Sequence, residues 1–235
     1  MMLKAMKLNT YYGLSHILFD LSFEVNEKEI VCVLGRNGVG KTTLIRTIMG
    51  LTPPRTGSIN FKDEEVAGKR PYQLARRGIG YVPADRRIFP DLTVRQNLEI
   101  AQKPGTSGSN SEQWTIREVF EFFPMLVKLE NRFGNQLSGG EQQVLSIARA
   151  IVGNSDLLLL DEPSEGLSPL IVGDLRERLL ALKNKGLSIL ICEQNTTFAF
   201  KLSSRGYIID KGRILYQGTV DELNSDEKVK DCLAI

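Results

Sequence analysis

The sequence predicts an α/β fold: a buried sheet wrapped by helices, with a β-rich opening and a helical middle. Three observations predict it. Ile30–Leu34 is a short apolar run followed by the glycine-rich Gly35–Gly40 and the helical Leu44–Met49, so strand, glycine loop and helix succeed one another. Leu157–Leu160 is wholly apolar, as a parallel strand buried on both faces requires. Ser188–Cys192 reads the same way. Between the two lies Leu170–Asn184, a helix with Leu175, Leu179 and Leu182 on one face.

The remaining elements follow in chain order. Ile17–Val25 alternates in part, as a half-buried strand does. Ser58–Lys62 alternates more cleanly after the turn-forming Pro53–Gly57. Pro71–Arg77 reads as a short helix opened by proline, and Ile79–Pro83 as a short strand stopped by one. Val94–Ala101 and Trp114–Phe123 have helical spacing. Between them the polar, Gly/Ser-rich Lys103–Ser111 reads as a mobile loop or a tolerated surface insertion. A helix runs from near Ser138 to about Val152. Tyr207–Asp210 and Arg213–Tyr216 flank Lys211-Gly212 as a hairpin, and Thr219–Glu222 has the spacing of a capping box before a terminal helix. No internal repeat is visible.

Composition narrows the function. The 235 residues are 42% hydrophobic and 25% charged, ordinary for a globular chain. Thirty basic and 28 acidic residues leave a net charge of +2, which gives no electrostatic case for nucleic-acid binding. No apolar run approaches the ~20 residues that span a bilayer, and Met1–Asn9 lacks the apolar core of a signal peptide. A cytoplasmic protein is expected. The three cysteines show no metal-ligand spacing and read as reduced thiols, Cys32 and Cys192 as small core residues. The single histidine, His16, reads as structural or surface.

Gly35-Arg36-Asn37-Gly38-Val39-Gly40-Lys41-Thr42-Thr43 fits G-x-x-x-x-G-K-T, a phosphate-binding loop. Its glycines let the backbone approach a phosphate chain, and its amides and the helix N-terminus point at the anion. Lys41 then reaches the β- and γ-phosphates and the Thr42 hydroxyl ligates Mg2+. Asp161 and Glu162 end the Leu157–Leu160 run, where two carboxylates are costly unless they hold a cation or water. Leu137-Ser138-Gly139-Gly140-Glu141-Gln142-Gln143 presents a second helix N-terminus with bare amides and a hydroxyl.

Together these stretches resemble the nucleotide-binding subunit of an ABC transporter over nearly the whole chain. The resemblance implies a P-loop NTPase (RecA-like) core with an N-terminal antiparallel β subdomain and an inserted α-helical subdomain. Residues 1–84 and 154–235 would form the core and β subdomain, and 85–153 the helical subdomain. It implies ATP and Mg2+ as cofactors. Ser138, Gly139, Gly140 and Glu141 would form the signature loop, which in the family caps the γ-phosphate of ATP held by the other subunit. Asp161 would hold Mg2+ beside Thr42, and Glu162 would polarise the attacking water. Ser164–Ser168 resembles the loop at the dimer seam, with Ser168 where the family often has aspartate. Tyr12, 29 residues before Lys41, matches the aromatic that stacks on adenine, with Tyr11 as competitor.

Two positions depart from the family pattern. Tyr81-Val82-Pro83 is followed by Ala84-Asp85, where a glutamine is usual; Ala84 cannot ligate, and Asp85 is the candidate substitute. Glu193 is followed by Gln194 where the family has a histidine. Gln194 can hydrogen-bond a γ-phosphate but carries no proton at pH 7. Catalysis is therefore expected to rest mainly on Lys41, Glu162 and Mg2+, with Gln194 as a further catalytic candidate.

Leu160–Pro169, Arg86–Pro90 and Glu193–Asn195 look like the ATPases of branched-chain amino acid importers. Tyr11–Gly13, Ser15–Leu18 and Leu34–Gly40 look more like those of urea or short-chain amide importers. Implied partners are transmembrane permease subunits and a second ATPase subunit, identical or paralogous. A periplasmic solute-binding protein is implied indirectly, and nucleic acid is not. The location implied is the cytoplasmic face of the inner membrane, peripheral through the permease, with Arg86, Arg87 and Phe89 as contacts. The alternatives are a regulatory ATP-binding module with little hydrolysis, an importer of another small polar solute, and a soluble ATPase of the family acting on DNA or ribosomes.

Overall fold

The computed structural model describes residues 1–103 and 114–233. It opens with an antiparallel pair, β1 (Leu3–Tyr12) and β2 (Ser15–Val25). β3 (Ile30–Leu34) then enters the central sheet, and α1 (Lys41–Ile48) leaves it after the glycine loop. β4 (Thr56–Phe61) returns to pair with β1, followed by the two-residue β5 (Glu64–Glu65). α2 (Pro71–Arg76) and β6 (Ile79–Val82) lead to the helical middle. That region holds α3 (Val94–Ala101), α4 (Ile116–Phe122), α5 (Pro124–Val127) and α6 (Gly139–Val152). Then β7 (Leu157–Asp161), α7 (Pro169–Asn184), β8 (Ser188–Glu193) and α8 (Thr196–Phe200) alternate. The hairpin β9 (Arg205–Asp210) and β10 (Arg213–Thr219) precedes α9 (Val220–Ser225) and α10 (Glu227–Leu233).

Two sheets result, ordered β2-β1-β4-β5 and β10-β9-β3-β8-β7-β6. The first is antiparallel; the second is parallel from β9 to β6, with β10 as an antiparallel edge. The parallel strands are apolar throughout because both faces are covered. Leu157 and Leu159 join one core with α1 and the antiparallel sheet, while Leu158 and Leu160 join another with α3, α4, α6 and α7. Leu175, Leu179 and Leu182 are the buried residues of α7, as its spacing predicts. The polar stretch expected as a loop, residues 103–111, lies outside the described residues apart from Lys103.

The sequence pattern did not reveal β1, and the reason is geometric. Pairing with β2 shifts register between Ala5 and Leu8, with Lys7 at φ 50° and Asp20 opposite at φ 48°. The buried positions of β1 therefore run Leu3, Ala5, Leu8, Thr10, and the bulge breaks the two-residue period. Asn9 plugs the irregularity: its Nδ2 donates to Lys7 O (3.1 Å) and to Asp20 Oδ1 (2.9 Å). Thr56 and Gly57, expected in a turn, instead open β4.

Register sets the place of chemistry. Leu34 pairs with Glu193 and Asp161 with Cys192, so the carboxyl ends of β3, β8 and β7 lie side by side. The loops that leave these three ends converge, as in other open α/β sheets.

Candidate active site

The loop between β3 and α1 is held open by its glycines. Gly40 sits at φ 116°, closed to side chains, and a Cβ on Gly35 would stand 2.5 Å from the Ile209 carbonyl oxygen. No side chain caps α1 at its N-terminus, so its first amides are free for an anion. Arg36, Asn37 and Gly38 are exposed at the loop tip, while Val39, Gly40, Lys41 and Thr43 are buried.

Lys41 is 4% exposed. Its ammonium donates to Gly35 O (2.8 Å) and Arg36 O (2.9 Å) and lies 3.0 Å from Glu162 Oε1. The predicted phosphate ligand and the predicted catalytic carboxylate are thus paired. Glu162 follows β7 at φ 48°, its amide donating to Cys192 O (2.8 Å). Glu165 lies against it: the hydrogen bond between the two carboxyls, then their repulsion, raises the Glu165 carboxyl above its usual range.

Thr42 Oγ1 donates to Asp161 Oδ1 at 3.2 Å, across 119 residues of sequence. Burial pushes the Asp161 carboxyl up to about 6, with the Thr42 hydrogen bond opposing and Glu162 adding to the rise. A hydroxyl and a carboxylate so placed are the hard oxygen donors a small divalent cation takes. Among the described residues no cluster of three His, Cys, Asp or Glu could hold a metal alone. Two protein donors fit Mg2+, which completes its octahedron with phosphate and water.

The remaining predicted residues differ in exposure and partners. Tyr11 stacks on His16 (4.0 Å between ring centroids), and Arg55 covers its ring at 4.1 Å. Tyr12 is 44% exposed, and its hydroxyl accepts a 3.5 Å bond from Thr52 Oγ1. Of the two tyrosines, Tyr12 has the exposed ring. Gln194 is exposed, its amide donating to Glu193 Oε2 at 3.0 Å. Asp85 is exposed and paired with Arg87 (2.8 Å), and its charge adds to the rise of the Asp161 carboxyl.

Ser138 caps α6. Its amide and hydroxyl both donate to Glu141 Oε2 (2.7 and 2.8 Å), and the Glu141 amide returns to Ser138 Oγ (3.4 Å). Gly140 packs on Ile171, and a Cβ on Gly139 would stand 2.7 Å from Arg86 Nη1. Among the described residues no hydrogen bond or ion pair joins Ser138–Glu141 to the glycine loop.

Arg87 and Phe89 are exposed, as a contact surface needs, but Arg86 is half-buried and turned toward Gly139 and Gly166. Both arginines have positive φ, and α6 holds their carbonyls through Ser146 Oγ (2.6 Å) and Arg149 Nη1 (2.7 Å). Sequence reasoning missed Arg86's inward turn and the reach of Glu193. A buried charge ending an apolar strand was the available signal for the latter.

Comparison with known proteins supplies the family. A family model described as "ABC transporter" matches residues 18–165. The chain is 39% identical over 230 residues to a protein of Pseudomonas aeruginosa named "High-affinity branched-chain amino acid transport ATP-binding protein BraG", covering 98% of each chain. It is 36% identical over 236 residues to the "Probable branched-chain amino acid transport ATP-binding protein LivF" of Archaeoglobus fulgidus, covering 100% of this chain and 99% of that one. Among solved structures, a nucleotide-free ATP-binding cassette from an ABC transporter superposes with a TM-score of 0.85 at 28% identity, covering 100% of this chain and 98% of that one.

Proposed function

The chain belongs to the ABC transporter family, whose ATP-binding cassettes couple ATP hydrolysis to transport, and from that membership we propose that it powers an importer of branched-chain amino acids. The observation that carries the catalytic part is the meeting of Lys41 with Glu162 and of Thr42 with Asp161 at the mouth of the glycine loop.

Tyr12 stacks on the adenine, and the amides of Gly35–Thr43 line the phosphate chain. With phosphate bound, the Lys41 ammonium would turn to it and leave Glu162, whose carboxylate would take the proton of the water that attacks the γ-phosphorus as the bond to the ADP oxygen breaks. Thr42 and Asp161 would hold Mg2+, which would supply charge neutralisation for the phosphates. Gln194 donates a hydrogen bond to the γ-phosphate and takes no part in proton transfer. Ser138, Gly139, Gly140 and Glu141 of a second ATPase subunit, identical or paralogous, cap the same phosphate. Residues 85–153 serve as the helical subdomain, and 1–84 with 154–235 as the core and β subdomain.

A groove of about 400 Å3 lined by Leu51, Tyr81, Arg87, Lys103 and Arg149 borders exposed Phe89 and is the proposed seat of a permease subunit. Among the described residues no helix is long and apolar enough to cross a membrane. Attachment to the cytoplasmic face of the cell membrane is accordingly assigned to the permease, and solute capture to a binding protein outside.

The test is ATP turnover by wild type and Glu162→Gln. The variant should keep its ATP affinity and lose about 10²–10⁴-fold in kcat. Equal turnover would leave only a regulatory ATP-binding module.

A further inference from the structure

Glu193, the last residue of β8, is 2% exposed, and its carboxylate is satisfied by main-chain donors. Oε1 accepts the amide of Ser164 at 2.9 Å. Oε2 accepts the amides of Gln194 and Asn195, both at 3.0 Å. Its own carbonyl receives the amide of Gly35 at 3.4 Å, where β3 ends beside it. One residue thus touches the start of the glycine loop, the loop after the acidic pair and the loop that carries Gln194.

We propose that Glu193 is a positioning residue that fixes the Gln194 loop and the Ser164 loop in one geometry relative to the glycine loop. The chemistry favours a carboxylate over any other side chain. Three amide donors converge from two directions, and only a group that accepts at both ends serves them all. A glutamine in its place turns an NH2 donor toward either Ser164 or the Gln194–Asn195 pair, leaving a buried amide unmatched. Asn195 extends the tie, since its side chain caps α8 by accepting the Phe198 amide at 3.0 Å. With no histidine at 194, nothing in that loop orients itself by charge, so the placement of Gln194 falls to Glu193.

The inference rests on the ATPase reading above. The experiment is steady-state ATPase kinetics together with ADP affinity for wild type, Glu193→Gln, Gln194→Ala and the double variant. Glu193→Gln should lose about tenfold to a hundredfold in kcat. Its KM for ATP and its ADP affinity should hold, because Lys41 and the loop amides are untouched. The double variant should be no slower than the slower single variant, because both changes remove one function. Unchanged kcat, a loss shared with ADP affinity, or losses that multiply would overturn the proposal. If Glu193→Gln fails to fold, Glu193→Asp, which keeps both acceptors one methylene short, is read by the same criteria. Wild type no faster than Glu162→Gln sinks the ATPase reading itself. A working wild type matched by Glu193→Gln sinks only this inference.

Discussion

Tyr11 and Tyr12 share a chemistry and differ in surroundings. Tyr11 is closed between His16 and Arg55, while the Tyr12 ring meets solvent. Tyr12→Ala should weaken ATP binding by about 1–3 kcal/mol, roughly 5–150-fold, as loss of a base-stacking ring does. Tyr11→Ala should lower Tm and leave ATP affinity near wild type. Calorimetric titration with ATP checks both, and a reversed pattern would transfer the adenine contact to Tyr11. Sequence alone left these two open because spacing from Lys41 says where a ring lies along the chain and nothing about what covers it. Lys41, Thr42, Asp161 and Glu162 were legible for the opposite reason. Their types and their places after apolar runs state their chemistry before any neighbour is known.

At the level of elements, the strands with both faces buried could be read directly, the bulged β2 only in part and the bulged β1 not at all. An uninterrupted apolar run survives any register, whereas a half-buried strand is recognisable only by its period, which Lys7 and Asp20 break. The turn between β9 and β10 shows how far an element's role can exceed its pattern. Gly212 was read as part of a hairpin. Its amide also donates to Val39 O in the glycine loop (2.8 Å), and its carbonyl accepts from Phe19 in β2 (2.9 Å). At φ 74° a methyl there would run into the Ile17 carbonyl. Gly212→Ala should destabilise by about 2–4 kcal/mol, a Tm fall of roughly 5–15 °C. Gly173→Ala, inside α7 with open space around it, should be neutral or raise Tm slightly. Thermal melts of the two variants side by side decide this, and equal shifts would refute the distinction.

For the whole molecule, the proposal turns on the two helix starts at Lys41 and Gly139. If each ATP lies between the glycine loop of one subunit and Ser138 of another, Lys41→Ala and Ser138→Arg are each inactive alone. Mixed in equal amounts, they form dimers in which one site carries both defects and the other carries none. Turnover should then recover to roughly a quarter of wild type, from statistical pairing with one intact site of two. A mixture as dead as its parts would mean that one chain completes its own site. The two sheets are joined by a different kind of contact: Arg205 of β9 reaches Glu29 (Nε to Oε1 2.7 Å) and the Glu24 carbonyl at the end of β2 (2.9 Å). Burial raises the Glu29 carboxyl, but Arg205 and the Asn26 amide outweigh it and hold it below its usual value. A carboxyl lowered on folding adds stability above its unfolded pKa and loses it as pH falls through the folded one. Glu29→Gln should therefore melt below wild type at pH 7, with the gap closing as pH drops below about 4.5. A gap that stays constant between pH 7 and 4 would show that the pair adds nothing through charge.

By itself the sequence determined the parallel core and where the glycine loop and the acidic pair stand on it. Each is a local pattern of residue types, legible wherever the chain runs. Only the tertiary structure decided that Tyr12 and not Tyr11 is free, that Arg86 turns inward, and that Glu193 joins three loops. Those outcomes depend on contacts between segments far apart in the chain, such as Gly35 with Glu193 and Arg86 with Gly139, and such meetings leave no mark on composition, period or spacing.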